Sequence, residues 1–210
     1  MSFDLWLTFV AASAALLLIL GPTVLLVLSY ALSKGRSIAV ASAAGVALGD
    51  FIAMTASLVG LGALVLASAT LFTILKWVGA AYLVWLGLRL IRSAPGSGTS
   101  AGLAAPRDVT LRHVFGHATV VTALNPKSIA FFIAFVPQFI DPQAPLLPQF
   151  AILIGTFVGL ATLNALAYAL AADKLRRHIA RPAVLTWITH AGGAALIAMG
   201  VLTATLRRGA

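Results

Sequence analysis

The sequence predicts an all-α integral membrane protein of six transmembrane helices, built as two inverted three-helix repeats. Three observations point there. Charge is scarce, the apolar residues come in bilayer-length runs, and the two halves carry the same glycine and proline landmarks in the same order. Of 210 residues, 61% are hydrophobic and 9% charged, and the mean hydropathy is +1.04. A soluble domain carries roughly 25% charged residues, so this chain lacks the charge to cover a water-facing surface. Phe51–Ala69 runs for nineteen residues without a charge and Phe150–Ala172 for twenty-three. A helix needs about twenty apolar residues to cross the hydrocarbon core.

Six segments account for these runs. The first, Leu5–Leu32, is interrupted by Gly21-Pro22. The start, Met1-Ser-Phe-Asp-Leu-Trp6, lacks the positive stretch of a cleaved signal peptide, so this segment reads as a retained first helix. The second, Ile38–Leu66, and the third, Leu71–Ile91, are separated by a few small residues and imply a helical hairpin. Ser93–Asp108 is rich in Gly, Ser, Ala and Pro, a flexible connection between halves. The fourth, Val114–Phe139, is interrupted by Asn125-Pro126, and Leu147–Ala172 and Val184–Leu206 follow. The chain therefore divides into a first repeat over 1–92, a linker over 93–110 and a second repeat over 111–210.

Orientation follows from Lys and Arg, which collect in cytoplasmic loops. With six crossings, the side opposite the N-terminus receives ten of the fourteen: Lys34, Arg36, Arg89, Arg92, Arg107 and Arg112, then Lys174, Arg176, Arg177 and Arg181. That side is read as cytoplasmic and both termini as outside; Arg207 and Arg208 run against the rule. The net charge of +9 is thereby explained without nucleic acid, and no basic helix with interleaved aromatics suggests otherwise. Lys76, beside Trp77, is expected to snorkel to the outer interface.

The halves match at three places. Gly21-Pro22 corresponds to Asn125-Pro126, and Gly45-x-x-x-Gly49 to Gly155-x-x-x-Gly159. Gly79-Ala-Ala-Tyr-Leu83 with Gly87 corresponds to Gly192-Gly-Ala-Ala-Leu196 with Gly200. The offsets grow from 104 to 110 to 113. An odd number of helices per repeat inverts the second copy, a common transporter architecture. The plainer alternative is that glycine pairs are frequent in membrane helices. The two Gly-x-x-x-Gly faces either pack within the subunit or join two copies as a homodimer.

Pro22 and Pro126 fall deep in their segments. Proline removes a backbone donor and displaces a carbonyl. Freed polar groups persist at membrane depth only inside protein or beside water. Paired interruptions in two repeats point to a central substrate site, whereas a lone proline would also serve as a simple kink. Asp50 lies near mid-membrane, just beyond the Gly45/Gly49 face, where a carboxylate must be paired, hydrated or protonated. Lys127 is its natural partner. The two form either a structural ion pair or a group that titrates as substrate moves. Asn125, Ser128, Asn164 and Thr23 add neutral polar groups at similar depth, with Tyr82 and Tyr168 as further candidates. His190 reads as interfacial, and as a second candidate for proton handling.

Several chemistries find no support. The chain has no Cys and no Glu, so thiolate sites and His-Glu-x-x-His are excluded. His113 and His117 share a helical face but lack an acid in zincin spacing, so they read as interfacial. No metal or cofactor is expected, nor an enzyme. A passive channel or an ion exporter of the same fold stays open.

One resemblance adds to this reading. Gly21-Pro22, Lys34-Gly35, Gly45-x-x-x-Gly49-Asp50, the run Lys76-Trp-Val-Gly-Ala-Ala-Tyr-Leu-Val-Trp-Leu-Gly87 and Asn125-Pro126-Lys127 together resemble the lysine-exporter superfamily. The similarity is to its homoserine/threonine-resistance branch, over nearly the whole chain. Thr23 stands where the family pattern has glycine. The resemblance implies a translocator in the bacterial inner membrane that exports amino acids or related metabolites, driven by protons. Its partners would be lipid, protons and a small-molecule substrate. The single mid-membrane acid with a Lys nearby makes the site almost neutral, which favours a zwitterion over a dication such as lysine.

Overall fold

A computed structural model describes residues 1–34, 36–67, 69–92, 110–141, 143–179 and 182–205. Among these residues every regular element is helical: α1 Phe3–Leu18, α2 Pro22–Lys34, α3 Arg36–Ala67, α4 Ala69–Arg92, α5 Leu111–Ala123, α6 Pro126–Ala134, a 3-10 turn Val136–Phe139, α7 Leu146–Ile179 and α8 Pro182–Thr205. The linker residues 93–109, with Arg107, lie outside the described residues, as do Gly35, Arg181, Arg207 and Arg208.

Both proline-bearing segments are divided rather than kinked. Placing Pro22 and Pro126 inside helices was an expectation that the structure corrects. Each stands at the first position of a new helix, where its missing N–H would be unpaired anyway and its fixed φ suits the turn. The axes of α1 and α2 meet at 60°, and those of the α5 and α6 halves at 44°. Asn125 closes the second break by accepting the Lys127 backbone N–H on its side-chain oxygen, 3.1 Å away. Ser2 and Thr110 cap α1 and α5 in the same way, at 3.3 and 3.2 Å.

Three stretches are long and apolar enough to cross a membrane unaided: Ser37–Ala63, Thr73–Arg92 and Leu146–Ala172. The bent pairs Phe3–Leu18 with Pro22–Ala31, and Leu111–Ala123 with Pro126–Phe139, raise the number to five if each is one span. Thr189–Thr205 of α8 is a shorter apolar helix. Large apolar side chains such as Phe51, Val59, Trp77, Leu163 and Trp187 face outward, as lipid permits and water does not. Lys76 lies two turns inside α4, rather than beginning it.

Inside, Phe131, Phe132 and Phe157 cluster, with the last two edge-on at 4.8 Å, and Phe9 meets Phe139 at 5.3 Å. Helices otherwise touch through small residues, since lipid supplies no hydrophobic drive to associate and close packing must do so. A Cβ on Gly49 would lie 2.6 Å from the Thr119 carbonyl oxygen and 2.7 Å from Thr122 Cβ. One on Gly45 would strike the Phe115 carbonyl. This glycine pair therefore seats α5 on α3 within the subunit. Gly87 approaches the Gly193 carbonyl and Gly200 the Ala80 carbonyl in the same manner, at 2.5 and 2.7 Å from the added Cβ. A Cβ on Gly155 or Gly159 would meet nothing within 4 Å among the described residues, so these residues show no packing role for the pair inside the subunit.

These contacts predict opposite responses to one added methyl. Gly45→Ala should destabilise the detergent-solubilised protein by about 1–3 kcal/mol through overpacking. Gly155→Ala should leave its thermal unfolding unchanged or slightly improved.

Candidate functional site

A broken helix leaves its last carbonyls without partners, and at membrane depth lipid supplies none, so protein or a water-filled cavity must. At the end of α1 these are the carbonyls of Leu17, Leu18 and Ile19, while that of Leu16 accepts the Ile19 N–H at 3.2 Å. The Lys127 ammonium donates to Leu16 and Ile19, each at 3.0 Å. Asn164 Nδ2 donates to Leu17 at 3.1 Å, and the Tyr168 hydroxyl to Leu18 at 3.4 Å. A cation suits this place, because a helix C-terminus carries partial negative charge. Gly21 lies beside it: a Cβ there would stand 3.4 Å from Lys127 Nζ, in ordinary van der Waals contact.

The second break is tied to the first. Asn125 Nδ2 donates to the Thr23 hydroxyl at 3.2 Å, and the Thr122 hydroxyl to the same oxygen at 3.4 Å. Thr23 is the second residue of α2, so both interruptions meet in one polar cluster.

Asp50 comes in from α3 and is 2% exposed. The glycine at 49 draws α3 against α5 and sets the depth of the carboxylate. Thr23, Asp50, Asn125, Lys127, Ser128 and Asn164 all line one cavity, with Tyr168 beside them. Its volume is about 30 Å³, room for water rather than an amino acid. Lys127 was expected to partner Asp50; two of its three donors go to the α1 carbonyls, and its charge acts on the Asp50 carboxylate as well. The acid and the ammonium face the same small space, with the ammonium anchored elsewhere.

A second cavity of about 290 Å³ lies on the other side of the breaks. Gly21, Pro22, Asn125, Pro126 and Lys127 form one side of it. Tyr82, Leu86, Arg89 and Leu90 of α4 form another, with Leu196 of α8. Lys127 and Asn125 thus belong to both cavities.

The remaining candidates lie apart. His117 Nδ1 shares a hydrogen bond of 2.8 Å with the buried Tyr30 hydroxyl, and His113 stands 6.1 Å from His117 between ring centres. His190 is exposed on α8. Among the described residues no three His, Cys, Asp or Glu gather as metal ligands. The Tyr30–His117 pair and the place of Arg89 escaped the sequence reading. So did the α1 carbonyls, because backbone acceptors carry no sequence signature and their donors lie more than a hundred residues away.

The sequence profile of the LysE type translocator family matches residues 14–207. A homoserine/homoserine lactone efflux protein of Salmonella typhimurium is 35% identical over 207 residues, covering 99% of each chain. A Salmonella typhimurium leucine efflux protein is 33% identical over 139 residues, 66% of this chain and 64% of its own. A Vibrio cholerae protein described as an uncharacterized membrane protein is 33% identical over 208 residues, 99% of this chain and 100% of its own. No solved structure matches the chain.

The capping arrangement makes a local prediction. Asn164→Leu keeps the bulk but strips the Leu17 carbonyl of its donor, which should destabilise the protein by about 1–3 kcal/mol. Hydrogen exchange should accelerate at the α1–α2 junction and stay unchanged in the α4–α8 pair. Uniform acceleration throughout would mean that the cap is not local.

Proposed function

The chain belongs to the LysE type translocator family, and on that premise we propose that it exports neutral amino acids of the homoserine or threonine kind, or related small metabolites, by proton antiport. Its place is the bacterial inner membrane. The observation that carries the proposal is Asp50. It is buried at 2% exposure in a cavity shared with Lys127, between two broken helices. An antiporter needs a group that changes charge between its two states. A buried carboxylate with little room around it is such a group, because it is stable as an anion only beside a cation or water. A proton taken by Asp50 from outside and released inside would drive substrate the other way. Lys127 tunes the exchange by moving between the α1 carbonyls and the space facing Asp50. Asn125, Asn164, Ser128 and Thr23 complete the pathway.

Six crossings as two inverted repeats, 1–92 and 111–210, suit the packing. Gly87 with Gly193, and Gly200 with Ala80, mark α4 and α8 as antiparallel. The offset of 113 found in the sequence turns one contact into the other, as a two-fold axis in the membrane plane would. Gly45 with Ala118 and Gly49 with Thr122 mark α3 and α5 as parallel. Trp6 with Thr156 and Leu17 with Asn164 mark α1 and α7 likewise. Alternate crossings, with each bent pair as one span and α8 as the sixth, produce these directions. The linker 93–110 is then cytoplasmic, both termini are outside, and the chain acts as a transporter rather than an enzyme.

The deciding experiment is efflux from cells loaded with a panel of labelled amino acids, with and without an uncoupler. Export that collapses with the gradient supports the proposal. Unaffected export would identify a passive facilitator, and no export of any amino acid would overturn the reading.

Two predictions follow from the residues. In proteoliposomes under a pH gradient, Asp50→Asn should abolish accumulation while retaining exchange of substrate for substrate. Accumulation by the variant would move coupling elsewhere, with His190 the next candidate. Reporter fusions within 93–110 should register as cytoplasmic, and an external signal would invert the topology.

A further inference from the structure

The two cavities differ in a way that assigns them different tasks. The one holding Asp50 measures about 30 Å³ and the other about 290 Å³. Small-molecule sites start near roughly 300 Å³, so only the second approaches the size of an amino acid. Its charged side chains, among the described residues, are of one sign. Lys127 and Arg89 bring positive charge, and no acid is among the residues that line it. The α2 and α6 helices begin at its wall, at Pro22 and Pro126, and helix N-termini add partial positive charge. Asn125 and Tyr82 add neutral polar groups, and the rest is apolar, chiefly Leu86, Leu90 and Leu196. Arg89 lies over the Trp85 ring at 5.4 Å, in the same last turn of α4 as Arg92. In the orientation proposed above, that end is cytoplasmic, which is where an exporter must load.

We propose that this second cavity is the loading site: the Lys127 ammonium receives the carboxylate of an amino acid, and Leu86, Leu90 and Leu196 enclose an uncharged side chain. The assignment rests on the export reading and deepens it by naming the substrate class. Lys127 and Arg89 repel a cationic side chain, so lysine and arginine are excluded. Loading also reaches the coupling acid. A carboxylate in this cavity competes with the Leu16 and Ile19 carbonyls for the Lys127 ammonium, which lies on the wall between the substrate and Asp50.

The test uses the full-length protein in proteoliposomes transporting labelled homoserine against unlabelled competitors. In wild type, leucine should compete, leucine amide should compete about tenfold less well, and lysine should not compete. Leu86→Phe should weaken leucine relative to alanine by about tenfold, the scale of a methylene or two in an apolar pocket, and Leu86→Ala should shift the order the other way. Leu90→Phe provides the same reading should Leu86→Phe fail to insert. Equal competition by lysine, equal competition by the amide, or a side-chain order unchanged in these variants would overturn the assignment while leaving export intact. Failure of the wild type to transport any amino acid would overturn the export reading itself, and this assignment with it.

Discussion

A carbonyl left open at membrane depth must find a donor from protein, because the surrounding lipid offers none. Around the end of α1 that requirement organises the molecule. Lys127 comes from α6, Asn164 and Tyr168 from α7, and together they reach Leu16 through Ile19. The break cannot form without those helices in place, and the helices bring their polar groups to mid-membrane because the break receives them. An ammonium that would otherwise be isolated in a low-dielectric interior finds two carbonyls and a helix C-terminus. A break that would otherwise be costly becomes the wall of two cavities.

The placement of the acid depends on a second constraint, close backbone approach. Without side chains at 45 and 49, α3 settles onto α5 near the second break, and Asp50 on the next residue is carried to the polar cluster around Thr23. Larger residues there would hold α3 away and leave the carboxylate among apolar neighbours. Packing and chemistry are thus adjacent in the chain for a physical reason: the glycine face sets the depth that the acid uses.

The two halves are alike in sequence and unlike in packing. Gly45 and Gly49 are pressed against α5, while Gly155 and Gly159 face open space among the described residues. Gly79 meets Ala134, while its counterpart Gly192 meets the side chain of Ile19. The breaks differ as well, 60° against 44°.

Composition and run length by themselves determined that this chain is helical and membrane-embedded, because the period and length of an apolar helix are local properties. Local rules also located the breaks at residues 21–22 and 125–126, the seat at Gly45 and Gly49, and the polar residues that end on one cavity. The tertiary structure decided the rest. It moved Pro22 and Pro126 from helix interiors to helix starts, since whether a proline kinks or ends a helix depends on what receives the freed carbonyls. It gave the Lys127 ammonium the Leu16 and Ile19 carbonyls in addition to the Asp50 charge, and among the described residues it left Gly155 and Gly159 uncovered. It also placed Arg89 and Leu86 of α4 beside Asn125, Lys127 and Leu196 from later in the chain. Partner choice for a buried cation depends on distances across the whole fold, and the sequence writes acceptors on the backbone in no letter that can be read.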